Sequence, residues 1–337
     1  MANVDIIILS WNRSDDTLRA IDSACAQQGV DVKVLVVDQG SNPQSVQKLK
    51  AHCADLPNVQ IRFNEKNTGC PGGRNQASAM GTADFIVGLD NDAVFQDPYV
   101  CARAAALMDS DPDLAAIAFR INAGDTENAD LNAWAYQPLE PEEAVGRNFD
   151  AHNFVGAGHM IRRSAFEQVD GYDARLFFMH EEFDLCYRFI NAGYRIAYRG
   201  DLPIGHGSAA EQRILWKSGR FRYHLRNRIY IQAKTEGVSY RLFEELIVMA
   251  AGGVRSGFVW AALSGTAEAI GWLPAALAER KRNPYCKRTQ AATEYIRQAA
   301  NHGLIDWGPQ IWDGKNPFYR LYARLRWQTD LTNLKQI

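Results

Sequence analysis

Several common organising features are missing from this chain. Its six cysteines form no C-x-x-C pair, so neither a zinc knuckle nor a dithiol redox site is expected. No uncharged apolar run reaches the ~18–20 residues that span a bilayer. The stretch 246–277 comes nearest, but Arg255 and Glu268 interrupt it, along with Ser256, Ser264 and Thr266. A buried helical pair is the expectation there, with an interfacial helix as the alternative. Charge of one sign is also lacking, since 37 lysines and arginines offset 39 acids to leave a net charge of −2. Without a global positive field or a recognition motif, nucleic acid is not an expected partner. The opening MANVDIIILSWNR has no basic n-region, and its apolar run is only about four residues long. A cytoplasmic protein with reduced cysteines is therefore expected, with peripheral contact at the inner face of the cell membrane as an added expectation.

What is present is an ordinary globular composition, 47% hydrophobic and 23% charged over 337 residues, enough for about two domains. The charge is unevenly placed. Residues 1–210 hold 17 lysines and arginines against 29 acids, while 211–337 hold 20 against 10. An acidic front part (1–210) and a basic, mainly helical back part (211–337) are expected, the latter meeting an acceptor, a membrane surface or a second copy in a homodimer.

In the front part, apolar runs alternate with helical spacing. Runs 4–9 and 32–37 read as buried parallel strands, and 58–63, 84–89 and 114–119 as a third, fourth and fifth strand. The segments between them, 14–28, 43–54, 72–81 and 98–109, read as helices. The fold class is thus α/β, an open and mostly parallel sheet with helices on both faces. Residues 120–150 are a polar excursion. A strand and short helix follow in 154–173, then a helix after His180-Glu181-Glu182 that is closed by Gly193 and followed by a strand. After about 210 strands vanish.

Ligands of such sheets bind at the carboxyl ends of the strands, and the polar clusters sit there. Asp90-Asn91-Asp92 follows the fourth run, and two carboxylates at i and i+2 can both reach a hard divalent cation. A turn or helix cap would use the same residues. Asn67 to Asn75 (NTGCPGGRN) carries Gly72 and Gly73, which let a backbone approach a phosphate, and Arg74, a natural diphosphate partner. Ser10-Trp11-Asn12-Arg13 and Asp38-Gln39-Gly40-Ser41 follow the first two strands. Asp38 can accept from the N3–H of a pyrimidine or from a ribose hydroxyl. Glu181 and Glu182 open a helix, either to stabilise its dipole or to supply a general base, with Asp184 deeper as support. His206 follows another apolar strand.

The order of these motifs resembles the family 2 glycosyltransferases of GT-A fold, particularly bacterial rhamnosyltransferase-like and galactofuranosyltransferase-like members, over about residues 3–230. SWNR, VVDQGS, NTGCPGGRN, LDNDA, HEEFDLCYR and RFRYHLRN each look like a family segment, in the family's order. The resemblance implies a nucleotide-sugar site built from Ser10, Asn12, Arg13, Asp38, Gly72, Gly73, Arg74, Asp90 and Asn91. It implies Mg²⁺ or Mn²⁺ on Asp92 and His206, with Asp90 near the ribose or a metal-bound water. Glu182 takes the place of the family's aspartate base, one methylene longer, and Asn91 removes one charge from the triplet.

The expected activity is inverting, metal-dependent hexosyl transfer from a UDP- or dTDP-type sugar to a hydroxyl of a glycan or lipid-linked saccharide, in bacterial surface polysaccharide synthesis. The alternatives are a sugar-1-phosphate nucleotidyltransferase and a catalytically silent binding subunit. In the basic part, Arg280-Lys281-Arg282 beside the apolar Trp272–Leu277 stretch is the expected membrane contact, with Trp216, Tyr223, Tyr230 and Trp260 as further aromatics.

Overall fold

A computed structural model describes residues 1–136, 139–207 and 218–299; Trp216 lies outside them. The first four strands are β1 (Asn3–Ser10), β2 (Asp31–Asp38), β3 (Val59–Phe63) and β4 (Phe85–Leu89), joined by helices α1 (Ser14–Cys25), α2 (Pro43–Cys53) and α3 (Gly69–Ser78). Each strand pairs in parallel, β1 with both β2 and β4, and β2 with β3. The helical crossovers return the chain to the same end each time. Val4, Ile6 and Ile8 point into one apolar cluster and Ile7 into another on the opposite face. Both faces of β1 are thus covered, which is why its sequence is a continuous apolar run.

The remaining strands are β5 (Ala93–Phe95), β6 (Leu114–Ala123), β7 (Asn148–Ala151), β8 (Gly158–Arg162) and β9 (Arg195–His206). The order is β3-β2-β1-β4-β8-β6-β9-β5, with β7 also on β9. The sheet is mixed rather than mostly parallel. β8 runs antiparallel to β4 and β6, while β6 and β9 are parallel. The cause is the connection. Helix α4 (Val100–Ser110) returns the chain for β6, but the excursion after β6 contributes only the four-residue α5 (Pro141–Ala144) and β7, so the chain enters β8 from the strand-end side. Beyond β8 come α6 (Arg163–Gln168) and α7 (Glu181–Asn191).

Helix α3 begins three residues before the expected start. Gly69 has φ +79°, and a Cβ there would meet the backbone of Phe177. Pro71 falls in the first turn, where no backbone N–H is needed.

The basic part folds into α8 (Ser218–Glu236), α9 (Tyr240–Arg255), α10 (Val259–Gly271), α11 (Leu273–Arg282) and α12 (Gln290–Ala299). Leu225, Ile229, Leu242, Ala262 and Ala269 form a third cluster, which Leu176 joins. Among the described residues no helix is long and apolar enough to cross a membrane. Trp272 is turned into the protein, 5.7 Å from Tyr230 and 4.1 Å from the Arg226 guanidinium. Arg280 donates to the carbonyls of Lys234 and Thr235, and Arg282 pairs with Glu279 and Asp170. Of the stretch expected to meet a membrane, Trp272 and Arg280 are thus engaged within the fold, while Leu277, Lys281 and Arg282 are exposed.

Candidate functional site

Three strand ends and two helix starts converge on one cleft. From the end of β4, Asp90 and Asp92 face the end of β9, where His206 closes the strand. A carboxylate oxygen from each acid and a ring nitrogen of His206 lie within 4.8 Å of one another. His206 Nε2 is 3.5 Å from Asp92 and Nδ1 is 2.8 Å from Asp130. The Asp130 bond fixes the ring so that Nε2 faces the acids. Burial opposes the imidazolium, but Asp130 and Asp92 prevail and push the His206 pKa up to about 10. Burial also opposes the Asp92 anion, but contacts from His206 and Arg13 hold that carboxyl well below its usual range. Arg13 Nη1 donates to Asp92 at 2.8 Å. Burial raises the Asp90 carboxyl against the pull of Arg74.

Arg74 joins this cluster to the start of α7. Its guanidinium donates to Glu182 at 2.5 Å, to Asp90 at 3.1 Å and to the Gly156 carbonyl at 3.1 Å. It is 4% exposed and lies over the Tyr172 ring. The sequence suggests a free hand for a diphosphate; the structure gives a buried connector between two acids. Behind it, His159 Nε2 lies 3.1 Å from the Tyr172 hydroxyl. Gly156 has no side chain because a Cβ would meet both Glu182 and Arg74.

The two adjacent glutamates differ. Glu182 faces Arg74 and keeps 19% of its side chain exposed. Glu181 is buried, and its Oε2 has no hydrogen-bond partner among the described residues. Burial, then repulsion from Glu182, pushes its pKa up to about 8. Asp184 points away from the cleft into a buried network with Arg188 at 2.9 Å and Lys234 at 2.6 Å. It anchors α7 and does not line the cleft.

The loop that presents these acids is strained. Phe177, Met179 and His180 have φ of +64°, +74° and +70°, a region that costs non-glycine residues about 1–3 kcal/mol each. Asn227 of α8 holds it, its Nδ2 donating to the carbonyls of Leu176, Phe178 and Met179 at 3.0, 2.8 and 2.9 Å. His180 and His224 meet at 3.0 Å. On the other side the Phe177 carbonyl accepts from Cys70 N, at the start of α3.

The remaining expected residues lie around the first two strand ends. Asn12 N donates to Ser41 Oγ at 2.9 Å, and Asn42 N donates to Asn12 Oδ1 at 2.8 Å. Asp38 is fully buried, with both oxygens taken by Ser41. Ser10 is buried and accepts from Thr17 Oγ1. Asn91 turns towards Thr17, 3.4 Å away. Gly73 lies against Gln39 and Leu9, and Gly72 packs on Thr68. Sequence reasoning missed Asp130, Tyr172, His159 and Asn227. Asp130 sits in the patternless excursion, while Asn227 lies within the quoted RFRYHLRN segment.

Residues 5–170 match the family model described as glycosyl transferase family 2. The chain is 25% identical to the O-antigen chain rhamnosyltransferase RfbN of Salmonella typhimurium, over 60% of this chain and 66% of that one. It is 23% identical to the glucosyl-dolichyl phosphate glucuronosyltransferase of Haloferax volcanii, over 60% of this chain and 68% of that one. The chain thus spans about two thirds of the length of these curated relatives. In structure it is similar to a mannosyltransferase from Pyrobaculum calidifontis, solved in complex with GDP-Man and Mn²⁺, with a TM-score of 0.54 at 16% identity over 93% of this chain and 88% of that one.

Proposed function

Since the chain belongs to the family 2 glycosyltransferases and has the GT-A fold, we propose that it moves a sugar from a UDP- or dTDP-type nucleotide sugar to a hydroxyl of a glycan or lipid-linked saccharide. The transfer inverts the anomeric centre, and it serves surface polysaccharide assembly. One observation carries this reading: Arg74 ties Glu182 to Asp90 of the Asp90–Asp92–His206 cluster, so a base and a cation site share one cleft.

The donor set fits a divalent cation, Mg²⁺ or Mn²⁺, since carboxylates suit both and imidazole suits the transition metals. Asp92, His206 and Asp90 would hold it, with loss of the second imidazole proton. When bound, it supplies positive charge against the departing diphosphate. The protein does the rest. Glu182 accepts the proton of the acceptor hydroxyl as that oxygen bonds to the anomeric carbon and the bond to the diphosphate breaks. No covalent enzyme intermediate forms. Glu181, held protonated below about pH 8 by burial, does not compete as base. Asn12, Ser41 and the glycine-bearing start of α3 border the nucleotide.

The test is a panel of nucleotide sugars with Mn²⁺, read by nucleoside diphosphate release and by the anomeric configuration of the product. Retention of configuration would sink the single-displacement reading. Pyrophosphate released from a sugar-1-phosphate and a nucleoside triphosphate would favour nucleotidyl transfer instead. That alternative would want a glycine- and arginine-rich loop directly after β1, where this chain has Ser10-Trp11-Asn12-Arg13.

A further inference from the structure

Helix α10 is amphipathic the wrong way round for a surface helix. It buries small residues, Ala261, Ala262, Gly265 and Ala269, against its neighbours. Gly265 lets it lie close to α8, where a Cβ would sit 3.1 Å from the Arg222 carbonyl. Its large side chains face out: Val259 is 42% exposed, Trp260 82%, Leu263 55% and Ile270 49%. An ordinary surface helix turns its apolar stripe inward and its charges outward. The only charged residue of α10, Glu268, instead turns back to Arg222 and Arg226. On α9, which packs beside α10, Ile247 at 66% and Val254 at 48% add to the same kind of surface.

We propose that the outward sides of α10 and α9 rest on an anionic phospholipid surface, with Trp260 seated at the headgroup level. Charge selects this occupant. Arg241 and Arg255, near the two ends of α9, are exposed, as is Lys281 on α11. Residues 218–299 hold 13 lysines and arginines against 6 acids, while residues 1–210 hold 17 against 29. An anionic surface therefore attracts this end of the molecule and repels the other. A second copy offering the same cationic face meets like charge, which disfavours it. Length sets the mode. With no described helix able to cross, the face lies in the plane of the interface rather than through it.

The full chain is sedimented at low salt with phosphatidylcholine vesicles and with mixed phosphatidylcholine–phosphatidylglycerol vesicles. Binding to the anionic vesicles alone is expected. Trp260→Ser with Leu263→Ser should weaken it by at least about tenfold, and Arg241→Gln and Arg255→Gln by about fivefold each, the effect of one cation at such a surface. Raised salt should erase the arginine effect. Tyr99→Ser, a 47% exposed control on the sheet part, should change nothing. The positions are exposed, so melting temperatures check that every variant folds. No binding to anionic vesicles, or binding indifferent to the Trp260/Leu263 change, overturns the proposal. So does a dimer in ultracentrifugation that the same change dissolves without any vesicle binding; that result assigns the face to a second copy. None of these readouts needs turnover, so they stand or fall apart from glycosyl transfer.

Discussion

Helices α3 and α7 start on the same cleft and solve the same electrostatic problem in opposite ways. A helix N-terminus carries about half a positive charge and unpaired N–H groups. Helix α7 carries Glu182 and Asp184 in its first turn, with the uncharged Glu181 buried beside them. The first turn of α3 holds no acid, and its glycines let strand, loop and helix close up around it. One helix brings its anions with it; the other is satisfied by neutral acceptors, Asn67 Oδ1 on Gly69 N and the Phe177 carbonyl on Cys70 N. Arg74 belongs to α3 but is spent on the acids of the other side, so the two starts are wired together rather than merely adjacent.

The contrast can be broken in graded steps. Asp92→Asn should have the largest effect, nearly abolishing transfer, because the cluster loses its most strongly anionic member. Nucleoside diphosphate binding by titration calorimetry should lose its dependence on Mn²⁺; full activity in excess chelator would refute the cation site. Glu182→Gln keeps shape but removes the proton acceptor, so kcat should fall by about 10²–10⁴-fold with donor affinity little changed. If Glu181→Gln proves the more damaging of the two, the acidic pair has been assigned the wrong way round.

Asn227→Ala should come next. It strips the Phe178 and Met179 carbonyls of their side-chain donor, leaving Leu176 to Arg226 and Phe178 N, and loosens a strained loop, which should lower kcat by more than it changes the donor KM. Asn227→Asp, which cannot donate, should behave alike. Equal loss in both variants of kcat and of folded fraction would mean support of the fold alone.

Glu181→Gln should alter stability more than turnover. Its carboxyl titrates at about 8 in the folded chain against an ordinary 4.5. A raised folded value means that stability is lost as pH rises from the ordinary value through about 8. The variant escapes that loss. Its melting temperature should exceed that of the parent at about pH 9 and match it more closely at about pH 5, where little of that loss has accrued. A pH-independent difference would show that Glu181 is not buried as described.

Strands β1, β2 and β4 were readable because most of their length is buried on both faces and so becomes an apolar run, while the edge strand β3, only partly buried, shows alternation instead. The direction of β8 was not, since a five-residue strand (GHMIR) reads the same either way and the connection decides. β5 is three residues long and β7 four, below what periodicity can register. In the site, Asp38, Asp90 and Asp92 were legible because they close or follow strands, and Glu181 and Glu182 because they open a helix. Their partners were not: Arg13 meets Asp92 across 79 residues of chain, and Arg74 meets Glu182 across 108. Asp130 had no pattern around it. Trp272 and Trp260 look equally free in the sequence, and only packing shows that one lies on Tyr230 while the other stands 82% exposed.

The hold of Asn227 on the 176–179 carbonyls also bears on modularity. Chimeras are attractive in such chains, because exchanging the helices that follow the sheet promises a new acceptor on an old donor site. Here the acidic helix is set by an amide that belongs to the exchanged piece. A graft joined anywhere between β9 and α8 would carry every reactive side chain yet lose the part that aims them, unless the incoming helix offered an asparagine at the same register. Grafts that match at this one position should recover turnover ahead of those matched better elsewhere.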